Sequence, residues 1–519
     1  MLPRLQAALD DHRAGRLSQA VAGYDDVLQH DRGNATAEAM LGVAMAQMGR
    51  PRDGLPRLFR AAALTPDDPG LLENIAAVFE QVGMRAAASF PLMRSAALSL
   101  GSGSALAAAG AAFVATKAVP RALCCLRRAL SLSPSEGRWW VATGDGELDV
   151  RQHATAVVCF RRALVLGVDY AEIATRLADA LIRSDHVEQA AAILDEAASR
   201  IRASRWHRPD LLAHAGVASG SDSFRITSEP KLRHDVQQFE YLMARHLLPP
   251  SFDETVRRYR VLLEQSTGRA IDGPCYAMTE AERRSVDDTY NRIVHLRRST
   301  FSGPDVLGAD VDWKAAERRY TEAKAGILVI DGLLSPEALA EVRRVCLEST
   351  IWFDDRHLGG YLGAMLRDGF CDPLLLRISR ELGKRMPAVF RDQPLREMWA
   401  YKYDSRLEGT ALHADSAAIN VNFWITPDEA NLSEDRGGLV VFDQRAPAEW
   451  EFEKFNNDQP AIRQFLADSG AKDVVIPYRC NRAAIFHSDL FHRTDDLTFR
   501  DDYASRRINI TMLFGERGG

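Results

Sequence analysis

The 519-residue sequence has little of what would tie a protein to a membrane, to nucleic acid or to an oxidising compartment. Its most apolar stretch, Ala105 to Val114, is Ala-rich and too short to span a bilayer. The start, Met1-Leu2-Pro3-Arg4-Leu5-Gln6, has no charged lead, apolar run and small-residue cleavage site, so no secretory signal is expected. Basic excess is absent too. The net charge is −6 and the pI about 6.1, which speaks against nucleic acid or an anionic membrane as main partner. Cysteine is sparse: seven residues, two of them the adjacent Cys124 and Cys125, and no CxxC pair. That excludes a disulfide framework, a thioredoxin-like site and a zinc ribbon, and the expected compartment is the reducing cytoplasm.

What is present is the composition of a soluble globular chain, 46% apolar and 26% charged, long enough for two or three domains. A repeat dominates the first two hundred residues. Gly15, Gly49 and Gly83 stand 34 residues apart. Five residues after each comes a small residue, Ala20, Gly54 and Ala88, and the series continues as Ala122, Ala156 and Ala190. Four residues further on a large residue recurs: Tyr24, Leu58, Leu92, Leu126, Phe160, Leu194. Lys117, Arg151 and Asp185 hold the turn position in the later repeats. This pattern resembles the tetratricopeptide repeat over residues 1–205, six repeats of paired antiparallel helices. The resemblance implies an α-solenoid whose concave groove takes a protein or peptide partner, or serves self-association.

From Trp206 the period is lost. Ala218 to Ser223 reads as a loop, and Lys231–Leu247, Phe252–Gln265, Thr279–Arg298 and Trp313–Ala325 read as helices. Residues 206–315 are therefore expected to be a helical connector. His234, His246 and His295 within it are expected to be core or surface histidines.

Residues 316–519 change character. Gly326–Asp331 is a β-branched strand, and Ser335-Pro336 begins a helix that runs to about Glu348. Gly359 to Gly363 reads as a glycine-rich turn, Pro373–Leu382 as a helix, and Leu395–Tyr403 as a strand. Two His-x-Asp elements follow, His413-Ala414-Asp415 and His487-Ser488-Asp489. Residues i and i+2 of a strand share a face, so either element can present two ligands. Only the first precedes a separate strand that can carry a third ligand, His492. Ile419–Trp424 is a strand with Asn420 and Asn422 on one face. Asn481–Phe486 is the strand before the Ser488–Leu490 turn and Phe491-His492. In Arg507-Ile508-Asn509-Ile510-Thr511 the polar residues share a face, which turns Arg506 the other way, toward the surface. Between Asp443 and Val475 lies an insertion with a helix at Gln459–Asp468 and Trp450, Phe452 and Phe455, suited to a lid.

The ordered set His413-x-Asp415, Gly437-Gly438-Leu439, His492 and Arg507 resembles the double-stranded β-helix (jelly-roll) oxygenases dependent on Fe(II) and 2-oxoglutarate, near their prolyl-hydroxylase branch. The resemblance implies that His413, Asp415 and His492 bind Fe(II), with no further catalytic residue. It implies that Arg507 holds the far carboxylate of 2-oxoglutarate, with Asn509 where the family commonly has Ser. Tyr403 and Asn422 are further co-substrate contacts by the same resemblance, and dioxygen is the second co-substrate. The expected whole is a multidomain α + β protein that hydroxylates a C–H bond of a protein recruited by the repeats. The alternatives are a hydroxylase of a free amino acid or small metabolite with repeats for oligomerisation, and a non-catalytic scaffold with a decayed barrel.

Overall fold

The computed structural model describes residues 2–98, 102–115, 117–212, 222–269, 275–323, 326–355, 361–404, 409–433 and 435–518. The chain forms two compact units, Met1–Ala180 and Leu181–Gly519.

Twelve helices occupy Leu2 to Arg202, and the second of each pair begins at Leu17, Pro51, Arg85, Val119, His153 and Val187, a 34-residue step. A chain that reverses in so few residues needs one left-handed residue to close the first helix. Gly15, Gly49 and Gly83 supply it with φ of 74°, 79° and 80°. Lys117, Arg151 and Asp185 hold the same conformation at 57°, 61° and 67°, so the turn survives the loss of its glycine. Ala20, Ala88, Ala122, Ala156 and Ala190 are fully buried, and a Cβ on Gly54 would come within 2.4 Å of the Gly42 carbonyl oxygen. A second small column, unread in the sequence although it keeps the same period, lies on the partner helices: Ala8, Gly42, Ala76, Gly110, Gly144 and Ala178. At Gly42, Gly110 and Gly144 a Cβ would meet Leu58, Leu126 and Phe160 at 2.8, 2.6 and 2.6 Å. The large residue of one helix thus rests on the bare backbone of the other.

In the second unit the Val187–Arg202 helix packs on the Pro373–Arg385 helix and the Leu366–Asp368 turn, where Arg202 meets Asp368 at 2.8 Å. Segment 206–315 is only partly helical. Helices run Glu229–Ala244, Asp253–Ser266 and Glu280–Val286, and the short strands β1 (Ile226–Ser228) and β2 (Cys275–Ala277) pair antiparallel. The helix expected over Thr279–Arg298 stops at Val286 because its second half bonds to other segments. Ile293 N donates to Arg202 O, Val294 N to Thr350 Oγ1, and Tyr290 Oη to Ile226 O. Most of the loop expected at Ala218–Ser223 lies outside the described residues.

Nine strands follow among the described residues: β3 (Ile327–Asp331), β4 (Tyr361–Met365), β5 (Leu395–Tyr403), β6 (Ile419–Trp424), β7 (Leu439–Arg445), β8 (Asp473–Ile476), β9 (Arg482–His487), β10 (Leu490–Thr494) and β11 (Ile508–Phe514). Residues 361–363, expected in a turn, belong to β4, which pairs with β5; residues 359–360 lie outside the described set. The larger sheet has the order β3-β9-β6-β11-β5-β4 and the smaller β10-β7-β8, all antiparallel. Trp424, Ala484 and Phe486 of the larger sheet share a core with Leu439, Val441, Ile476 and Leu490 of the smaller, so the two stack face to face. Among the described residues the strands do not close into the expected barrel.

Alternation sorts the larger sheet. Trp399, Tyr401 and Tyr403 of β5, Asn509 and Thr511 of β11 and Asn422 and Trp424 of β6 lie in register on the face toward the smaller sheet. The other face carries Lys402, whose Nζ contacts Cys346 O of the Pro336–Glu348 helix at 3.4 Å, His234 Nε2 of the Glu229–Ala244 helix at 3.2 Å, and Tyr503 Oη at 2.8 Å. Ser335 caps the Pro336–Glu348 helix by accepting from Ala338 N, as its sequence requires.

Candidate metal centre

His413 and His492 lie opposite each other in an antiparallel bridge with both backbone hydrogen bonds made, His413 N to His492 O at 2.9 Å and the reverse at 2.8 Å. The segment before β6 thereby adds to the edge of the smaller sheet beside β10. Asp415, two residues on, is held by its own N–H donating to Ser488 O. One ligand atom from each of His413, Asp415 and His492 lies within 4.8 Å of the other two. His413 Nε2 is 3.7 Å from Asp415 Oδ1, and His492 Nε2 is 3.4 Å from Asp415 Oδ2.

The orientation of both rings is set from behind. His413 Nδ1 donates to Ala411 O at 2.8 Å and His492 Nδ1 to Leu490 O at 2.9 Å. A carbonyl can only accept, so each Nδ1 carries a proton, which leaves Nε2, the atom facing Asp415, as the nitrogen that gives up its own proton when a metal binds. Burial alone would raise the Asp415 carboxyl. Its hydrogen bond to His492 and the charges of both histidines outweigh burial and hold it below the ordinary carboxylate range. Two imidazole nitrogens and one carboxylate, converging and fixed from behind, fit a divalent first-row metal such as Fe(II).

Arg507 faces the same cleft from β11's entrance and is 1% exposed. Nε donates to Gly437 O at 2.7 Å, Nη2 to Gly438 O at 3.0 Å and Nη1 to Asn509 Oδ1 at 3.3 Å. Its guanidinium lies 4.6 Å from the Tyr403 ring. None of these partners is an anion, and a guanidinium keeps its charge when buried. Three of its N–H donors are engaged; the others and the charge suit a carboxylate. The glycine pair exists for backbone approach: a Cβ on Gly438 would fall 1.9 Å from Ile476 O.

Asn509 Nδ2 and Asn422 Nδ2 both donate to Thr511 Oγ1, at 3.3 and 3.0 Å, so a polar chain runs from Arg507 along the cleft. Asn422 Oδ1 and Trp399 Nε1, both in residues lining the cleft, are buried and have no hydrogen-bond partner among the described residues. Such atoms stay unsatisfied only where a ligand or water completes them. The cleft is narrow, with a cavity volume of about 20 Å³, so a dicarboxylate enters with side-chain movement.

His413, Asp415, His492, Arg507, Asn509, Tyr403 and Asn422 all line this one cleft. Tyr403 Oη bonds Thr410 and Thr494 at 2.9 and 3.3 Å, so its ring, not its hydroxyl, addresses Arg507. His487 stands elsewhere, 5.4 Å from the Tyr320 ring. Arg506 does face away from Arg507, but it is buried, not a surface charge: Nη2 donates to Gln237 Oε1 at 2.8 Å and lies 3.6 Å from Asp404. The insertion between β7 and β8 is a brace instead of a lid. Phe455 O accepts from Ala414 N, Asn456 Nδ2 donates to Ala414 O, and Gln459 Nε2 to Leu412 O. Asn420, read in the sequence on one face with Asn422, lines the cleft too; Trp399, Thr410 and Thr494 line it without having been singled out, although alternation with Tyr403 along β5 places Trp399 on the inward face.

No protein-family model and no curated protein matches the chain. Solved structures similar to it are repeat proteins. MamA is 20% identical, matched over 31% of this chain and 93% of its own, with a TM-score of 0.29. MamA from Desulfovibrio magneticus RS-1 is 17% identical over 31% of this chain and 92% of its own, with a TM-score of 0.30. YrrB, described as a TPR protein with an unusual peptide-binding site, is 17% identical over 32% of this chain and 85% of its own, with a TM-score of 0.30.

Proposed function

We propose that the second unit is a non-haem Fe(II)- and 2-oxoglutarate-dependent oxygenase, and that the repeat array brings it a protein or peptide substrate. One observation carries the reading: a fully buried arginine with no anionic partner among the described residues shares a narrow cleft with a convergent two-histidine, one-carboxylate cluster. A purely structural metal site has no use for the arginine, and a structural arginine buried at this depth is normally matched by a carboxylate.

In this reading His413, Asp415 and His492 hold Fe(II), and Arg507, assisted by the Asn509–Thr511–Asn422 chain, holds one end of 2-oxoglutarate. Iron with bound 2-oxoglutarate supplies the oxidative hydroxylation of an unactivated C–H bond by dioxygen, with succinate and carbon dioxide as co-products. The chain's own residues orient and exclude water. The backbone carbonyls of Ala411 and Leu490 fix both imidazoles. Tyr403 and Trp424 flank the guanidinium at 4.6 and 5.8 Å and keep water from it. A fixed cation at one end of the cleft sets the direction in which a dicarboxylate lies.

The test is anaerobic titration of Fe(II) with 2-oxoglutarate, following the weak visible charge-transfer band of the chelate. A band in the wild type, lost in His413→Ala and requiring far more 2-oxoglutarate in Arg507→Ala, is expected. A folded wild type without a band would overturn the oxygenase reading and leave a repeat scaffold.

A further inference from the structure

Asn420 is the one cleft residue whose side chain is fully buried and bonded to a metal-ligand candidate. It stands on β6, five residues after Asp415, in register with Leu513 of β11 and Phe486 of β9. Its Nδ2 donates to Asp415 Oδ2 at 2.8 Å. Its Oδ1 is buried and has no hydrogen-bond partner among the described residues. Neither neighbouring strand needs this amide for its ladder, and its position among Val421, Phe423 and Ile419 is otherwise that of a core strand residue. A buried amide with one half unsatisfied is costly, so it is kept for what the other half does.

We propose that Asn420 is a positioning residue that holds Asp415 as a one-oxygen metal ligand. The inference rests on the metal-site reading above and adds a residue to it. A carboxylate beside a cation can offer one oxygen or both. An amide N–H on Oδ2 lowers that oxygen's electron density and fixes the plane of the group, while Oδ1 stays free of a protein donor in the cluster. The histidines cannot do this job, because each approaches the carboxylate from the cluster side, at 3.7 and 3.4 Å. Backbone does not do it either: Asp415 N is spent on Ser488 O. Holding the carboxylate to one oxygen preserves the open positions that a co-substrate and dioxygen require. Partners of this kind typically contribute 10- to 100-fold to metal affinity, roughly.

Co(II) replaces Fe(II) in the test because its visible bands report coordination number without turnover. Full-length wild type, Asn420→Ala and Asn420→Leu are titrated with Co(II) alone. The expected result is roughly 10- to 100-fold weaker binding in Asn420→Ala. At saturation, weaker and shifted bands are expected in that variant, as the freed carboxylate gives both oxygens. Asn420→Leu keeps the volume and loses the donor without adding a ligand or a charge, and should change the spectrum in the same sense; it stands in if the alanine variant fails to fold. Unchanged affinity and spectrum in a folded variant would overturn the role of Asn420 alone. No Co(II) binding by folded wild type would overturn the metal-site reading itself, which separates the two failures.

Discussion

Arg506 and Arg507 are adjacent in sequence and leave the larger sheet through opposite faces: Arg507 enters the cleft against the carbonyls of Gly437 and Gly438, and Arg506 runs to Gln237 and Asp404. Asp404 also takes Arg233 at 2.9 Å, so the Glu229–Ala244 helix is tied to the start of β11 and the end of β5. The two arginines should therefore fail differently. Arg507→Lys loses the planar fork that meets three acceptors and is expected to weaken 2-oxoglutarate binding about 100-fold while leaving the fold intact. Arg506→Ala takes the shared guanidinium away from Gln237 and from buried Asp404, which keeps only part of its compensation, and is expected to cost up to about 3 kcal/mol of stability. In the surviving folded fraction 2-oxoglutarate affinity should be unchanged. Chelate titration and urea denaturation, run on both variants, check this.

Gly438→Ala places a methyl group on the Ile476 carbonyl, a backbone atom that cannot step aside. The expected loss is at least about 3 kcal/mol. Gly437, at φ 85°, tolerates alanine only with strain of about 1–2 kcal/mol. Thermal unfolding should rank Gly438→Ala below Gly437→Ala, and a reversed order would contradict the carbonyl-approach argument.

Asp355 is buried, and among the described residues its Oδ2 has no hydrogen-bond partner. Burial pushes its carboxyl up to about 6 from an ordinary 3.8, only partly offset by Lys231. The folded state thus binds a proton more readily than the unfolded chain. Stability is highest below pH 3.8 as far as this group goes, falls as pH rises through about 6, and is flat above it. Two units correspond to about 3 kcal/mol. Asp355→Asn should stabilise the protein at neutral pH by up to about that amount and flatten the acid limb of the stability profile. Denaturation midpoints between pH 5 and 8 measure it.

The brace makes a prediction that a lid does not. Asn456→Ala and Gln459→Ala remove bonds to Ala414 O and Leu412 O without touching the cleft. Each should lower metal affinity several-fold at little cost in melting temperature. Phe455→Ala, inside the core that also holds Leu412 and Phe491, should cost about 3–5 kcal/mol. A lid would instead change co-substrate or substrate kinetics and leave Co(II) affinity untouched.

Lys117, Arg151 and Asp185 keep a left-handed turn without glycine. Replacing each by Gly should stabilise the array by up to about 1 kcal/mol, the relief of strain less the entropy that glycine returns to the unfolded chain. Melting of the triple variant reads the sum.

The repeat array was legible because one constraint acts at every period: a helix pair approaches closely only over a small residue. The strands bearing His492 and Arg507 were legible because alternation decides which side chain faces in, and it separated Arg507 from Arg506 correctly. What alternation cannot tell is burial on the far face, so Arg506 looked like a surface charge until the Glu229–Ala244 helix covered it. Residues 287–298 failed for a related reason. Their apolar spacing suits a helix, but Tyr290, Ile293 and Val294 satisfy their polar groups against distant segments, which local pattern does not encode. Sheet closure failed likewise, since strand order beyond neighbours is set by long-range pairing. Asn420 was legible as an inward amide; its bond to Asp415 was not.

The helix caps carry the 34-residue period as well. Asn34 accepts from Ala37 N at the head of its helix, and Asp68, one period later, accepts from Gly70 N and Leu71 N. A crossover between the two caps would delete residues 35–68, join Asn34 to Pro69, and leave a cap of the same chemistry in front of an intact helix. The array can therefore change length in whole steps without losing a cap, while the β-sheet segment, built on unique cross-strand pairings, admits no such arithmetic.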